Sequence, residues 1–212
     1  MTPETYLASS SPRRRELLAQ LGVRFDVLHP HVDESALVGE SAEQYVVRLA
    51  LEKARAGCRM VQRQGKPIRP VIGADTCIVW GDELMGKPSG KAHYHQLMEK
   101  LSGTEHQVYS AVAVAGYDST AMCLLERHRL SRSSVEFRQI SVQEREDYWR
   151  SGEPADKAGG YAIQGLAAVF VRNIHGSYSG IVGLPLFETA QLLGEFGIHV
   201  VRPSSSHTNN QQ

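Results

Sequence analysis

Val71-Ile72-Gly73-Ala74-Asp75, followed by Thr76 and then Cys77-Ile78-Val79-Trp80, is the stretch on which the fold turns. The first four residues are apolar or very small and the fifth is an acid, the pattern of a buried strand that ends where a carboxylate can reach a cleft. Cys77 to Trp80 and Leu84 to Met85 flank Gly81-Asp82, which reads as a hairpin turning on those two residues.

Working outward from this strand, the residues before it form a long helix. Ser41 opens it, Gln44 completes a capping box, and the helix is expected to run to about Gln64. Its apolar stripe is Val46, Leu49, Ala50, Lys53, Ala54 and Gly57, so helical spacing puts Lys53 on the inward face. Further upstream, Tyr6-Leu7-Ala8 reads as a short buried strand. Ser11 and Pro12 start a helix that ends at Gly22, and a strand follows over Arg24 to Leu28. Downstream, a helix is expected from about Gly90 to Leu101, then two long strands within Gln107 to Phe137 that meet near Tyr117-Asp118-Ser119. Ser141 and Glu144 form a second capping box for a helix ending at Gly152. A strand near Ala168 to Arg172, a helix after Pro185 and a last strand at Ile198 to Val201 complete the chain. Helices and strands alternate throughout, which defines an α/β fold.

The 212 residues, 42% of them hydrophobic, suffice for one core, so a single domain over residues 1–202 is expected. Residues 203–212 are polar without an apolar anchor and are expected to be a disordered tail. Lys plus Arg equals Asp plus Glu at 23 each, so no global field exists to hold nucleic acid or an anionic membrane. Three cysteines without C-x-x-C spacing argue against a disulfide framework and read as reduced thiols. The chain shows neither a secretory leader nor a run of transmembrane length, and a cytoplasmic location is expected.

The chemistry begins at Ser9-Ser10-Ser11-Pro12-Arg13-Arg14-Arg15. A helix start is its positive pole, and three arginines there repel it unless an anion intervenes. Backbone N–H groups, serine hydroxyls and guanidinium forks together suit phosphate oxygens; arginines pointing to solvent are the alternative. Lys53 either snorkels to water or serves a site. Lys87, held between Gly86 and Pro88 just past a strand, is either aimed at a cleft or an ordinary turn lysine. Asp75 can act as a general base, as a ligand for Mg²⁺ or Mn²⁺, or simply cap a turn with Thr76. Glu34 is a second candidate metal ligand. His29-Pro30-His31-Val32-Asp33 alternates in a way that could hold a transition metal, but it matches no zinc spacing. Walker, dinucleotide-binding and nucleophile-elbow motifs do not occur.

In order along the chain stand Leu7 to Leu18, Val47 to Ala54, Gly73-Ala74-Asp75-Thr76, Gly86-Lys87-Pro88, Leu101-Ser102-Gly103, Gly152 to Gly165 and Ser177 to Pro185. Each segment is weak evidence alone, but as an ordered set they resemble the Maf family of nucleotide pyrophosphatases. The resemblance implies a mixed α/β sheet flanked by helices, similar to inosine-triphosphate pyrophosphatases, with two lobes around a cleft and usually a homodimer. It also implies cleavage of a nucleoside triphosphate between the α and β phosphates with a divalent cation. By position, Asp75 would accept the proton of water, and Arg14, Lys53 and Lys87 would hold the triphosphate. Ser9 and Ser11 would add polar contacts, and Glu34 would help Asp75 hold the metal.

Within that family the chain resembles the branch that prefers dTTP and UTP, marked by Arg13, Thr76 and Gln164. The branch acting on 7-methyl-GTP carries an aromatic where Arg13 stands and lacks the run from Tyr161 to Gly165. An amide such as Gln164 offers both donor and acceptor, as the imide edge of uracil or thymine does. A purine or 7-methyl-GTP pyrophosphatase is the alternative substrate reading. A nucleotide-binding regulator of septum formation without turnover is the alternative from another class.

Overall fold

The computed structural model describes residues 2–117 and 124–200. Its elements, in chain order, begin with β1 (Thr5–Ala8), α1 (Pro12–Gln20), β2 (Phe25–Leu28), α2 (Ala42–Arg63), β3 (Val71–Trp80), β4 (Glu83–Met85) and α3 (Lys91–Leu101). They continue with β5 (Glu105–Tyr117), β6 (Leu124–Phe137), α4 (Val142–Arg150), β7 (Val171–His175), α5 (Tyr178–Val182) and α6 (Leu186–Glu195). Single 3₁₀ turns lie at Glu153–Asp156, Ala158–Gly160 and Leu166–Phe170. The seven strands form one mixed sheet of order β2-β1-β3-β5-β6-β7, with β4 paired to β3. β1 runs parallel to both β2 and β3, and the remaining pairs are antiparallel.

Successive side chains of a strand point to opposite faces, and that alternation divides the core in two. On one face Tyr6, Ala8, Val71, Cys77, Val79, Ala111, Ala113 and Ala115 pack against Val46, Ala50, Ala54, Cys58 and Val61 of α2. On the other, Leu7, Ile72, Ala74, Ile78, Val108, Val112 and Val114 pack beneath α1, α3, α4 and α6. The alanines of β5 leave room for α2 to lie close. At Gly73 the approach is backbone to backbone, since a Cβ there would sit 2.2 Å from the Ala50 carbonyl oxygen and 2.6 Å from the Ala54 nitrogen. Each fully buried Val or Leu on the α2 stripe contributes about 1.5–3 kcal/mol. Both capping boxes are formed, at Ser41–Gln44 and Ser141–Glu144.

Three expectations are corrected. Asp75 does not end a strand: β3 runs unbroken from Val71 to Trp80, because Cys77, Ile78 and Val79 continue the buried pairing with β5, and Asp75 stands at its middle. Ile198 begins no strand: Gly197 takes φ +76° after α6, and the Ile198 N–H donates to the Leu193 carbonyl at 2.9 Å. That bond turns the chain back onto the helix end and buries Ile198 as the hydrophobic contact of a helix-terminating motif. Val201 lies outside the described residues, as does the tail. The strand placed near Ala168 to Arg172 starts later, because Ala167 and Phe170 are buried at a spacing of three, which suits a 3₁₀ turn. The chain then extends as β7, which pairs with β6. The expected junction of the long strands at Tyr117-Asp118-Ser119 falls largely outside the described residues. No helix among those described is long and apolar enough to cross a membrane.

Candidate active site

A cleft of about 670 Å³ opens over the middle of β3, lined by the segments that leave β1, β2 and β4, by residues between Asp156 and Gln164, and by the end of α5. Ten of the residues marked in the sequence line it, Ser9, Ser11, Arg13, Arg14, Glu34, Lys53, Asp75, Thr76, Lys87 and Gln164, whereas Arg15, His29 and His31 do not.

The alternation along β3 sorts the chemistry. Asp75 shares its face with Val71 and Gly73, so it points at α2, while Thr76 points the other way, toward α1 and α5. Lys53 sits on the inward stripe of α2 because the helix packs at Gly73, and its ammonium lies 2.6 Å from Asp75 Oδ1 and 2.6 Å from Glu34 Oε1. Asp75 is 7% and Lys53 9% exposed, so the pair is shielded from solvent. Lys53 therefore does not snorkel: its charge ends between two carboxylates.

Glu34 comes from an irregular loop, and α2 fastens that loop in place. Tyr45 Oη donates to the Glu34 carbonyl at 2.9 Å, while Arg48 grips both oxygens of Glu40 at 2.6 and 2.7 Å and donates to the Ser35 carbonyl at 3.0 Å. Burial alone would raise the Glu34 pKa. The Lys53 hydrogen bond and the charges of Lys53, Lys87 and Arg14 outweigh it, and the carboxyl is held below its ordinary value.

On the opposite face, Arg14 Nε donates to the Gly183 carbonyl at 2.8 Å, and Nη2 lies 3.5 Å from Thr76 Oγ1. Ser110 donates to the Gly180 carbonyl at 2.6 Å, so Thr76, 2.7 Å from Ser110 Oγ, is left to donate to Ser110 and accept from Arg14. Burial lowers the Arg14 pKa first, against the pull of Asp75 and with the repulsion of Arg13, so this guanidinium carries a charge that an anion would relieve. The first turn of α1 contains no acid to offset its arginines, and Arg13 and Arg14 both line the cleft while Arg15 is exposed to solvent. Ser11 stands at the N-cap without a side-chain cap, and its N–H donates to Ser9 Oγ at 3.2 Å.

Sequence reasoning passed over several residues of the cleft. Tyr45 lies on α2 eight residues before Lys53 and so on the same side of the helix, the one available signal of its role; Arg48, which ties the Glu34 loop, lies outside the cleft and gave none. Lys157 and Asp156, which form an ion pair, and Tyr161 line the cleft from within the Gly152 to Gly165 run. Cys77 also lines it. Burial and then the Asp75 charge push its thiol up to about 12, so it remains protonated and a poor nucleophile at neutral pH. Cleft cations Arg13, Arg14, Lys53, Lys87 and Lys157 outnumber the carboxylates of Glu34, Asp75 and Asp156 by five to three, which leaves an excess suited to a polyanion.

A family model described as Maf-like protein matches residues 4–196. The chain belongs to that family. A dTTP/UTP pyrophosphatase of Alkalilimnicola ehrlichii is 53% identical over 201 residues, which cover 94% of this chain and 96% of that protein. Proteins of the same name from Saccharophagus degradans and Salmonella typhimurium are 51% identical over 197 residues and 49% identical over 191. Those alignments cover 93% and 90% of this chain and 90% and 92% of the relatives.

In this Maf-like chain the donors present fit a hard divalent cation. Glu34 and Asp75 flank the Lys53 ammonium and leave their other oxygens for a cation, and among the described residues no group of three His, Cys, Asp or Glu side chains could hold a metal. Mg²⁺ takes one or two carboxylates and completes its octahedron with water and substrate phosphate, so two suffice. A zinc site needs three or four protein ligands. His29 and His31 belong to no such group among the described residues.

Proposed function

We propose that this chain hydrolyses dTTP and UTP to the nucleoside monophosphate and pyrophosphate, with Mg²⁺ or Mn²⁺ as cofactor. The observation that carries the reading is the Lys53 ammonium held between Asp75 and Glu34, at 2.6 Å from each, within a cleft rich in cations. The relatives at about half identity, named for this activity, supply the substrate.

Arg14 and Lys87 grip the β and γ phosphates, where the leaving pyrophosphate gathers charge, and the Ser9 and Ser11 hydroxyls add contacts at the same place. Asp75 accepts the proton of the attacking water, a role that needs an ionised carboxylate aimed into the cleft, and Lys53 holds that carboxylate in its rotamer. Glu34 and Asp75 would together hold the cation, which when bound draws charge from the phosphate oxygens. Thr76, gripped by Arg14 and Ser110, fixes the β3 backbone beside the reacting group. Arg13 and Gln164 face the nucleoside, with the Gln164 amide matching the donor and acceptor of a pyrimidine imide edge.

The test is pyrophosphate release from dTTP, UTP, CTP, dATP, GTP and 7-methyl-GTP, with Mg²⁺, with Mn²⁺ and with chelator. The expected result is release led by dTTP and UTP and abolished by chelator. Release led by a purine keeps the hydrolytic reading and sinks the base assignment, whereas release from none transfers the weight to a regulator. Gln164→Ala is expected to raise KM for dTTP about tenfold, the loss of one or two hydrogen bonds, and to change kcat little. An unchanged KM would remove Gln164 from the base site.

A further inference from the structure

Gln164 stands at the tip of a tight turn, and both ends of that turn are tied to a single carboxylate. The Ala162 N–H donates to Tyr148 Oη at 3.1 Å, and Tyr148 Oη donates in turn to Glu153 Oε1 at 2.6 Å. The Leu166 N–H donates to Glu153 Oε2 at 3.0 Å, so the second oxygen holds the other end. Between them the Gly165 N–H closes the turn on the Ala162 carbonyl at 3.0 Å. Gly165 leaves the room that the carboxylate occupies, since a Cβ there would lie 2.2 Å from Glu153 Oε2 and would push that tip off its bonds. Just before the turn, Tyr161 Oη lies 2.7 Å from His106 Nε2 in the aromatic core, so the chain enters from a fixed point.

Neither Tyr148 nor Glu153 lines the cleft, although Ala162, Ile163 and Gln164 do. Tyr148 is buried on α4, with its ring against Tyr94 and Phe170. The pair therefore reaches the ligand only through the turn that it staples.

We infer that Glu153, acting through Tyr148 and the 162–166 turn, is a positioning residue that places the Gln164 amide against the base and thereby sets the preference for pyrimidine nucleotides. The inference rests on the proposed reading of Gln164. Its chemistry is specific to a carboxylate: two acceptor oxygens serve one O–H and one N–H donor. An amide at 153 would replace one acceptor by a donor and leave one end of the turn without its bond.

The experiment measures binding of dTMP, dAMP and inorganic pyrophosphate by calorimetry with Mg²⁺, for the full-length protein and for Glu153→Gln, Tyr148→Phe, Gln164→Ala and the Glu153→Gln/Gln164→Ala double variant. Glu153→Gln is expected to weaken dTMP about tenfold and to leave pyrophosphate within about twofold, because only the base contact is displaced. In the Gln164→Ala background the same change is expected to add nothing, since the group through which it acts is gone. Equal weakening of dTMP and pyrophosphate would mean general loosening of the cleft and would overturn the proposal. So would unchanged dTMP binding, or an effect that persists in full without Gln164. Tyr148→Phe keeps the packed ring, removes both phenol bonds and carries the same expectations should Glu153→Gln fold poorly. If the unaltered protein binds pyrophosphate but prefers neither dTMP nor dAMP, the Gln164 reading fails first and the proposal falls with it.

Discussion

Asp75→Asn is expected to lower kcat for dTTP by about a thousandfold, near the middle of the range that a positioned general base contributes. The amide keeps the shape of the side chain and an oxygen for Lys53, but it cannot take a proton from water at neutral pH. Lys53 retains Glu34 as an anionic partner 2.6 Å away, so the ammonium is not stranded and the fold should persist. Nucleotide affinity should fall far less than kcat, because Arg14, Lys87 and the serines are untouched and Glu34 together with the carbonyl oxygen of the new amide is left for the cation. Single-turnover hydrolysis and equilibrium binding of dTTP on the same preparation separate the two quantities. A variant with near-normal kcat would remove Asp75 from the chemistry, and one that neither binds nor turns over would show that the carboxylate serves mainly to hold the site together.

Gly73→Ala is expected to be the most damaging single substitution to the fold. Its added methyl would meet the backbone of α2 at Ala50 and Ala54, and main-chain atoms cannot rotate aside as a side chain can. A loss of at least about 4 kcal/mol is expected, an exceptional value for one carbon, because the helix must lift from the strand. For a domain of this size that lowers Tm by roughly 10–15 °C. Any folded fraction should also be a poor enzyme, since lifting α2 at Ala50 to Ala54 withdraws Lys53 from Asp75. Gly194→Ala in α6 is the control: nothing lies within 4 Å of that Cβ, and the change should be neutral or mildly stabilising. Calorimetric melting of both variants decides it, and a Gly73→Ala protein that melts with the parent would refute the close-packing account.

Much of this could be read from the sequence because the decisive signals are periodic or local. The inward position of Lys53 follows from the spacing of Val46, Leu49 and Ala54, and both capping boxes follow from residues three apart. Asp75 was legible only as an acid closing an apolar run, which read as a strand end although β3 continues to Trp80, and its pairing with Lys53 was not legible at all. Glu34 is different, because nothing periodic governs a loop: its position depends on Tyr45 and Arg48, whose carbonyl and carboxylate partners are fixed by tertiary packing. The roles of Tyr148 and Glu153 were invisible for the same reason, as their bonds run to backbone N–H groups across a turn. Ile198 was misread because a short apolar pair at a chain end fits a strand and a helix-terminating contact equally well. Only the φ of Gly197 distinguishes them.

The split of β3 between two cores has a consequence for how such a protein can change. Asp75 answers to the packing under α2, whereas Thr76 and Arg14 answer to the packing under α1 and α5, although the first two are neighbours in the chain. Core substitutions beneath one layer can shift one half of the cleft and leave the other in register, so the two faces of the cleft can be retuned separately. A one-residue deletion upstream within β3 has the opposite character. It would turn the two side chains through the sheet, send the carboxylate toward Arg14 and the hydroxyl toward Lys53, and exchange the halves outright.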